Sequence, residues 1–188
     1  VDINAVTGVG SDNAIETEVH TLDVLNGTGA GTATGNIRIA ETDDIIVTQL
    51  RTQNVDDDTA TTGEIELVAG GSVTIDATGT GVETKDGNIT IDANGLTSSI
   101  AVEQAVTVLE DSTTDVGDVL ITADHDVTFE VAGDVTTGGG NIDIHADADE
   151  VADGMSGAIT MSDNGAGDST VINPTDGWIR LRADERIS

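Results

Sequence analysis

The sequence predicts an all-β fold, a parallel β-helix (β-solenoid) of about seven rungs. One motif recurs along the chain in a constant internal phase. Within each copy the apolar residues stand two apart, which is the period of a β-strand. No segment of the 188-residue chain shows the periodicity of a long amphipathic helix.

The motif is Gly-x-aliphatic-x-aliphatic-x-Ala. It reads GNIRIAE at 35, GEIELVA at 63, GNITIDA at 87, GDVLITA at 117, GNIDIHA at 140 and GWIRLRA at 177, and VDINA at residue 1 fits as a truncated seventh copy. The glycines lie 28, 24, 30, 23 and 37 residues apart. A constant motif at variable spacing indicates fixed strands joined by variable loops.

Three positions of each copy are predicted to point inward. The first two are aliphatic, and the third is Ala5, Ala69, Ala93, Ala123, Ala146 or Ala183, with Glu41 as the exception. The leading glycine suits a corner that needs a positive φ or has no room for a Cβ.

Further strands follow several copies. A second strand is predicted in GSVTID at 71, HDVTFEV at 125 and GAITMS at 158, together with TLDVL at 21 and AVTVLE at 105. A third, weaker strand is predicted around Leu50, Val82, Val135 and Val171. An antiparallel sandwich also has many short strands, but it does not need one motif in the same phase.

The composition limits the partners of the chain. It has 36 acidic residues against 6 Lys plus Arg, a net charge of -30, which argues against nucleic acid and anionic membranes as partners. There is no cysteine, and no apolar run reaches the length of a transmembrane helix. Residues 1–188 are expected to form a single solenoid segment, and the strand-like start VDINAV suggests part of a longer array or filament.

The Gly-Asn-Ile-x-Ile-x-Ala frames, GGSVTIDATGTGVETKDGNITIDA and GDVTTGGGNIDIHADADEVADGMSGAITM resemble repeats of giant bacterial surface and secreted proteins, namely filamentous haemagglutinin-like and other large exoprotein or adhesin repeats. The resemblance covers nearly the whole chain. It implies a right-handed parallel β-helix, a location at the bacterial cell surface or outside the cell, and a role as a shaft or stalk. It implies no catalytic residues.

Acidic loops are the candidate metal sites, because calcium prefers several carboxylate and carbonyl oxygens. The candidate ligands are Asp147, Asp149, Glu150 and Asp153 in DADADEVADG, Asp163 and Asp168 in SDNGAGDS, and Asp56 and Asp58 in NVDDDTATTG. None of these loops has the EF-hand pattern. The alternative is that the loops are solvated and hold no specific ion.

Outward positions predict ion pairs between neighbouring rungs. If the copies stack, Arg38 lies between Asp2 and Glu66, and Arg180 lies next to Asp143. His20, His125 and His145 share no metal-binding spacing and are expected at the surface. Trp178, the only tryptophan, is predicted either to contact a neighbouring chain or domain or to lie under a loop.

Two functions follow from these observations. The first is a structural, non-catalytic extracellular solenoid, a rigid shaft of a surface adhesin or self-assembling fibre, joined end to end to copies of itself or to flanking repeats. The alternative is a calcium-dependent module that binds a receptor, glycan or surface. An enzyme is not expected, because no Gly-x-Ser-x-Gly or phosphate-binding motif is present and aromatic platforms for sugars are scarce.

Overall fold

The computed structural model describes residues 1–10, 13–27, 35–52, 63–85, 87–109, 117–148, 156–163 and 169–188. These residues form an all-β parallel solenoid of about five turns, which confirms the predicted fold class. The strands are β1 (Asp2–Ala5), β2 (Ile15–Thr17), β3 (Thr21–Asn26), β4 (Ile37–Glu41), β5 (Ile45–Thr52), β6 (Ile65–Ala69), β7 (Val73–Ile75), β8 (Gly81–Lys85), β9 (Ile89–Ala93), β10 (Ile100–Val102), β11 (Val106–Leu109), β12 (Val119–Ala123), β13 (Val127–Phe129), β14 (Val135–Thr137), β15 (Ile142–Ala146), β16 (Ala158–Met161), β17 (Ile172–Asn173), β18 (Ile179–Arg182) and β19 (Arg186–Ile187).

Each turn has three faces. The first face is a seven-stranded parallel sheet in the order β2, β4, β6, β9, β12, β15, β18. The second face contains β7, β10, β13, β16 and β19, and the third contains β1, β8, β11, β14 and β17. β3 and β5 are long enough to run from the second face onto the third.

On the first face every motif copy pairs with the next in an unbroken parallel register. Ile37 pairs with Ile65, Ile65 with Ile89, and Val119 with both Ile89 and Ile142. Ile37, Ile65, Ile89, Val119 and Ile142 of this column are at most 1 % exposed. Because burial of one such side chain contributes about 1.5–3 kcal/mol, these columns supply most of the stability of the solenoid.

The motif glycines stack directly on one another at the corner before the first face. A Cβ on Gly87 would lie 2.5 Å from the backbone carbon of Gly63, and a Cβ on Gly140 would overlap the carbonyl oxygen of Gly117. Of the six, Gly35 has a positive φ, 92°. The glycines of the following turns are therefore needed mainly because successive corners approach too closely for any side chain.

The predicted number of rungs is too high. The regular turns comprise β4–β5, β6–β8, β9–β11, β12–β14 and β15–β17. VDINA is not a first-face copy, because β1 pairs with β3 on the third face, with Asp2 opposite Asp23. The place before β4 is taken by Val9 and β2, so Arg38 does not neighbour Asp2.

The second and third strands are predicted correctly with three exceptions. AVTVLE contains β11, which pairs with β8 and β14 on the third face, while β10 takes the place on the second face. On the third face Val135 pairs with Ile172, one residue beyond the predicted Val171. His125 lies at the corner before β13 and not within a strand.

Replacing a corner glycine tests how closely the turns are stacked. Gly140→Ala should lower the free energy of unfolding by about 1–3 kcal/mol, because the new methyl group forces the backbone apart. This loss exceeds the gain of about 0.4–1 kcal/mol from a less flexible unfolded chain. Denaturant unfolding measures the change.

The matched control is Thr90→Ala, at an outward, partly exposed position of β9. It should change the stability by no more than about 0.5 kcal/mol. Equal stability of the Gly140→Ala variant and the unmodified protein would contradict close stacking at this corner.

Candidate functional site

The outer surface carries ion pairs between adjacent turns. Arg38 pairs with Glu64 at 3.2 Å and with Glu66 at 3.4 Å, which confirms the predicted Arg38–Glu66 contact. On the third face Arg51 pairs with Glu83 at 2.6 Å. These side chains are about one quarter to one half exposed, so each pair contributes only about 0–1 kcal/mol.

Asp143 forms the most buried of these ion pairs. Its Oδ2 accepts hydrogen bonds from Arg180 and from Arg182, the latter at 3.3 Å, which confirms the predicted Arg180–Asp143 contact. The two arginines cover Asp143 so well that the residue is only 8 % exposed. Burial alone would raise the pKa of Asp143, but the hydrogen bonds and positive charges of Arg180 and Arg182 lower it below its ordinary value.

Glu41 occupies the inward position where the other copies have alanine, and it is only 4 % exposed. Its carboxylate accepts hydrogen bonds from the Thr17 hydroxyl at 2.6 Å and from the backbone N–H groups of Val19 and Thr42, each at 3.0 Å. Burial alone would raise the pKa of Glu41, but these hydrogen bonds lower it below its ordinary value. The carboxylate thus connects the irregular first turn to β4.

A groove of about 700 Å³ lies beside Glu41, at the corner between the first and second faces. Its lining includes Glu18, His20, Asp43, Asp44, Ser72 and Leu96. Glu41 supports one wall, since Val19 also lines the groove and donates its N–H to that carboxylate. The groove is an open, acidic surface formed by successive turns.

Polar side chains at the corners link each turn to the next. Asp44, Ser72, Ser99 and Asp126 occupy equivalent places before the second face, and each accepts a hydrogen bond from the backbone N–H one turn further on, at 2.7–3.3 Å. Asn88, Asp118 and Asn141 do the same before the first face, at 2.6–3.2 Å. Sequence reasoning missed both ladders, although the recurrence of Asn or Asp directly after the motif glycine is a signal for the ladder before the first face.

Buried polar side chains at the end of the third face donate hydrogen bonds to backbone carbonyl groups of the glycine corner. The Asn26 amide donates to the carbonyl oxygen of Gly35 at 2.9 Å, and the Thr137 hydroxyl donates to that of Gly140 at 2.7 Å. The Thr84 hydroxyl donates to the carbonyl of Gly63. These bonds satisfy carbonyl groups of the glycine corner that would otherwise be buried without a partner.

Of the predicted calcium ligands, two lie among the described residues. Asp147 directly follows β15 with a positive φ of 62°, and Asp163 forms an isolated antiparallel bridge with Ser169. The others, Asp56, Asp58, Asp149, Glu150, Asp153 and Asp168, fall outside the described residues. Within the described ranges no group of three or more His, Asp or Glu side chains is arranged to hold a metal ion, and the calcium hypothesis stays a prediction.

The histidines and the tryptophan lie at or near the surface. His20 is exposed. The Nδ1 atom of His125 lies 3.1 Å from the carboxylate of Asp126 at the corner before β13. Trp178 is half exposed, with the Arg180 guanidinium 5.3 Å from its ring centre.

Comparison of the chain with protein-family models, with curated proteins and with solved structures gives no match. The described residues contain no helix that is long and apolar enough to cross a membrane. The architecture alone therefore defines the class of the protein, a repeat protein with a parallel β-solenoid fold. The likeness to haemagglutinin-like repeats stays a resemblance of motif.

Glu41 gives the fold a defined dependence on pH. A carboxyl group whose pKa is lowered on folding stabilises the protein above its ordinary pKa, and this contribution is lost as the pH falls through the lowered value. Glu41→Gln should therefore lose about 1–3 kcal/mol of stability at pH 7. Thermal melting between pH 7 and pH 3 should show a smaller acid-induced loss in the variant than in the unmodified protein.

Glu130→Gln, at an exposed glutamate after β13, removes the same charge and should retain the pH profile of the unmodified protein. If Glu41→Gln and the unmodified protein lose equal stability on acidification, the buried carboxylate does not link the first turns as described.

Proposed function

We propose that this protein is a structural, non-catalytic module, a rigid shaft segment of an extracellular or cell-surface bacterial adhesin or fibre. The observation that supports this role is the continuity of the first-face columns. β4, β6, β9, β12, β15 and β18 pair in register without interruption, so one hydrogen-bonded sheet runs along the whole axis. Bending or stretching such a sheet requires buried columns and backbone hydrogen bonds to separate together.

The surface chemistry supports the same role. A net charge of -30 keeps neighbouring shafts apart, which favours a long object that must not aggregate sideways. Four of the five arginines, Arg38, Arg51, Arg180 and Arg182, lie beside acidic side chains of adjacent turns, where they reduce repulsion along the axis. The polar side chains at the corners accept hydrogen bonds from the backbone of the next turn and so stabilise the stacking of the turns.

Spin labels can measure the rigidity of the shaft directly, because the chain has no cysteine. Ala40 and His145 belong to one outward column, separated by four strand-to-strand steps through Val68, Asp92 and Thr122. At about 4.8 Å per step their Cα atoms lie about 19 Å apart. Labels on Ala40→Cys and His145→Cys should give one narrow distance distribution in pulsed EPR, unchanged between about 0.1 and 1 M salt, where screening differs most.

A broad or salt-dependent distribution in the folded protein would contradict a rigid shaft. The same sample in denaturant is the control and should show the broad distribution of an unfolded chain.

A calcium chelator separates the two functional hypotheses. The shaft should keep its distance distribution and melting temperature, whereas a calcium-dependent binding module should lose rigidity or stability.

A further inference from the structure

The connection between β9 and β10 is longer than the corners on either side of it. Residues 94–99 form this connection, whereas residues 70–72 and 124–126 connect the same two faces in the turns before and after. Leu96, in the middle of the longer connection, is 67 % exposed. This corner loop (94–99) therefore stands out from the stack, beside the acidic groove that it helps to line.

The corner loop begins with the dipeptide Asn94–Gly95, whose two residues can react with each other. The glycine nitrogen loses its proton to hydroxide and attacks the side-chain carbonyl carbon of the asparagine. A C–N bond forms, and the side-chain nitrogen takes a proton from water and leaves as ammonia. Water then opens the cyclic imide at either carbonyl group and gives aspartate or isoaspartate. Glycine favours this attack because it has no Cβ to hinder the approach, and asparagine is a thermally labile residue.

At Asn94 the two reacting groups are held only weakly. The residue is exposed, and among the described residues no hydrogen bond holds its side-chain amide. The Gly95 N–H donates to the hydroxyl of Ser98 at 3.0 Å, within the same loop. The attack therefore needs this side-chain hydrogen bond to open, which a local fluctuation of an exposed loop achieves while the stack stays folded.

The same dipeptide occurs at Asn26–Gly27, where the fold holds both reacting groups. Asn26 is fully buried. Its Oδ1 accepts the Gly8 N–H at 3.0 Å, and its Nδ2 donates to the carbonyl oxygen of Gly35 at 2.9 Å. The Gly27 N–H donates to the carbonyl oxygen of Ala5 at 2.7 Å. Reaction at Asn26 therefore requires three hydrogen bonds to break together and a buried side chain to leave the core.

We propose that Asn94 is a site of spontaneous covalent modification, at which attack by the Gly95 nitrogen forms aspartate and isoaspartate, while the fold protects Asn26 from the same reaction. A third dipeptide of this kind, Asn164–Gly165, falls outside the residues that the structure describes. The reaction needs only water and hydroxide, and it does not rest on the proposed role as a shaft.

The modification changes the corner at which it occurs. The counterpart of Asn94 in the next turn is Asp124, so a new carboxylate faces a like charge across adjacent turns. Isoaspartate also lengthens the backbone, because the main chain then runs through the side-chain carbon. The loop has little room for this change, since a Cβ on Gly95 would already overlap the carbonyl oxygen of Gly70. The modified protein should therefore melt at a lower temperature than the unmodified protein.

Incubation of the folded protein at mildly alkaline pH, followed by peptide mapping in a mass spectrometer, measures each asparagine separately. Asn94 should convert at least about tenfold faster than Asn26, because reaction at Asn26 must break two further hydrogen bonds. The rate at Asn94 should rise with pH, since the attacking nitrogen must lose its proton. Equal rates at the two sites of the folded protein would overturn the proposal.

The denatured chain is the control for the effect of the fold. In denaturant both sites should react at similar rates, because the two dipeptides are identical. Folding should slow Asn26 far more than Asn94. If folding slows both sites by the same factor, the selective protection of Asn26 is overturned.

The products and one variant test the route of the reaction. Attack by the Gly95 nitrogen gives isoaspartate as well as aspartate at position 94, whereas direct hydrolysis of the side chain gives aspartate alone. Asn94→Gln should end the rapid conversion, because the longer side chain needs a larger ring, and it should keep the melting temperature of the unmodified protein. Aspartate without isoaspartate, or equally fast conversion in this variant, would overturn attack by Gly95.

Discussion

The structure depends on the stacking of each first-face strand directly on the strand of the previous turn, and the glycine corner permits this stacking. At this corner the backbone of one turn lies against the backbone of the next, with no room for a Cβ on Gly87, Gly117 or Gly140. With the backbones of successive corners in contact, each residue of a first-face strand lies above its counterpart in the previous turn. Each strand position of the repeat therefore forms a column.

The columns explain which residue types occur where. Aliphatic columns fill the interior, and columns of Asn, Asp and Ser accept backbone N–H groups at the corners. Thr84, Thr137 and Asn26 satisfy carbonyl groups beside the glycines. Glu41 breaks the alanine column, and its carboxylate is held by hydrogen bonds to the less regular turn before it. Arg38, Arg51, Arg180 and Arg182 each form an ion pair with an acidic residue of an adjacent turn.

The sequence was sufficient to predict the fold class, six first-face strands and two ion pairs, because a period of two and a constant phase specify which side chains share a column. It could not assign VDINA to a face, since alternation looks the same on all three faces. For the same reason it assigned AVTVLE to the second face, and it overlooked β10, the three-residue strand that lies there. It also placed the last third-face strand one residue early. Glu41 was identified as an exception, but its partners depend on the unrepeated first turn, which no pattern predicts. Most of the predicted calcium ligands fall outside the described residues, and calcium binding stays a prediction.

The central claim is the parallel, in-register stacking of the motif copies, and NMR contacts between backbone protons test it most directly. Parallel stacking predicts that contacts between β9 and β12 keep a constant difference in residue number, as in Ile89 with Val119 and Ile91 with Ile121. An antiparallel sandwich predicts contacts with a constant sum of residue numbers instead. Observation of the constant difference from β4 through β18 would establish the solenoid. A constant sum, or contacts absent between successive copies, would contradict it.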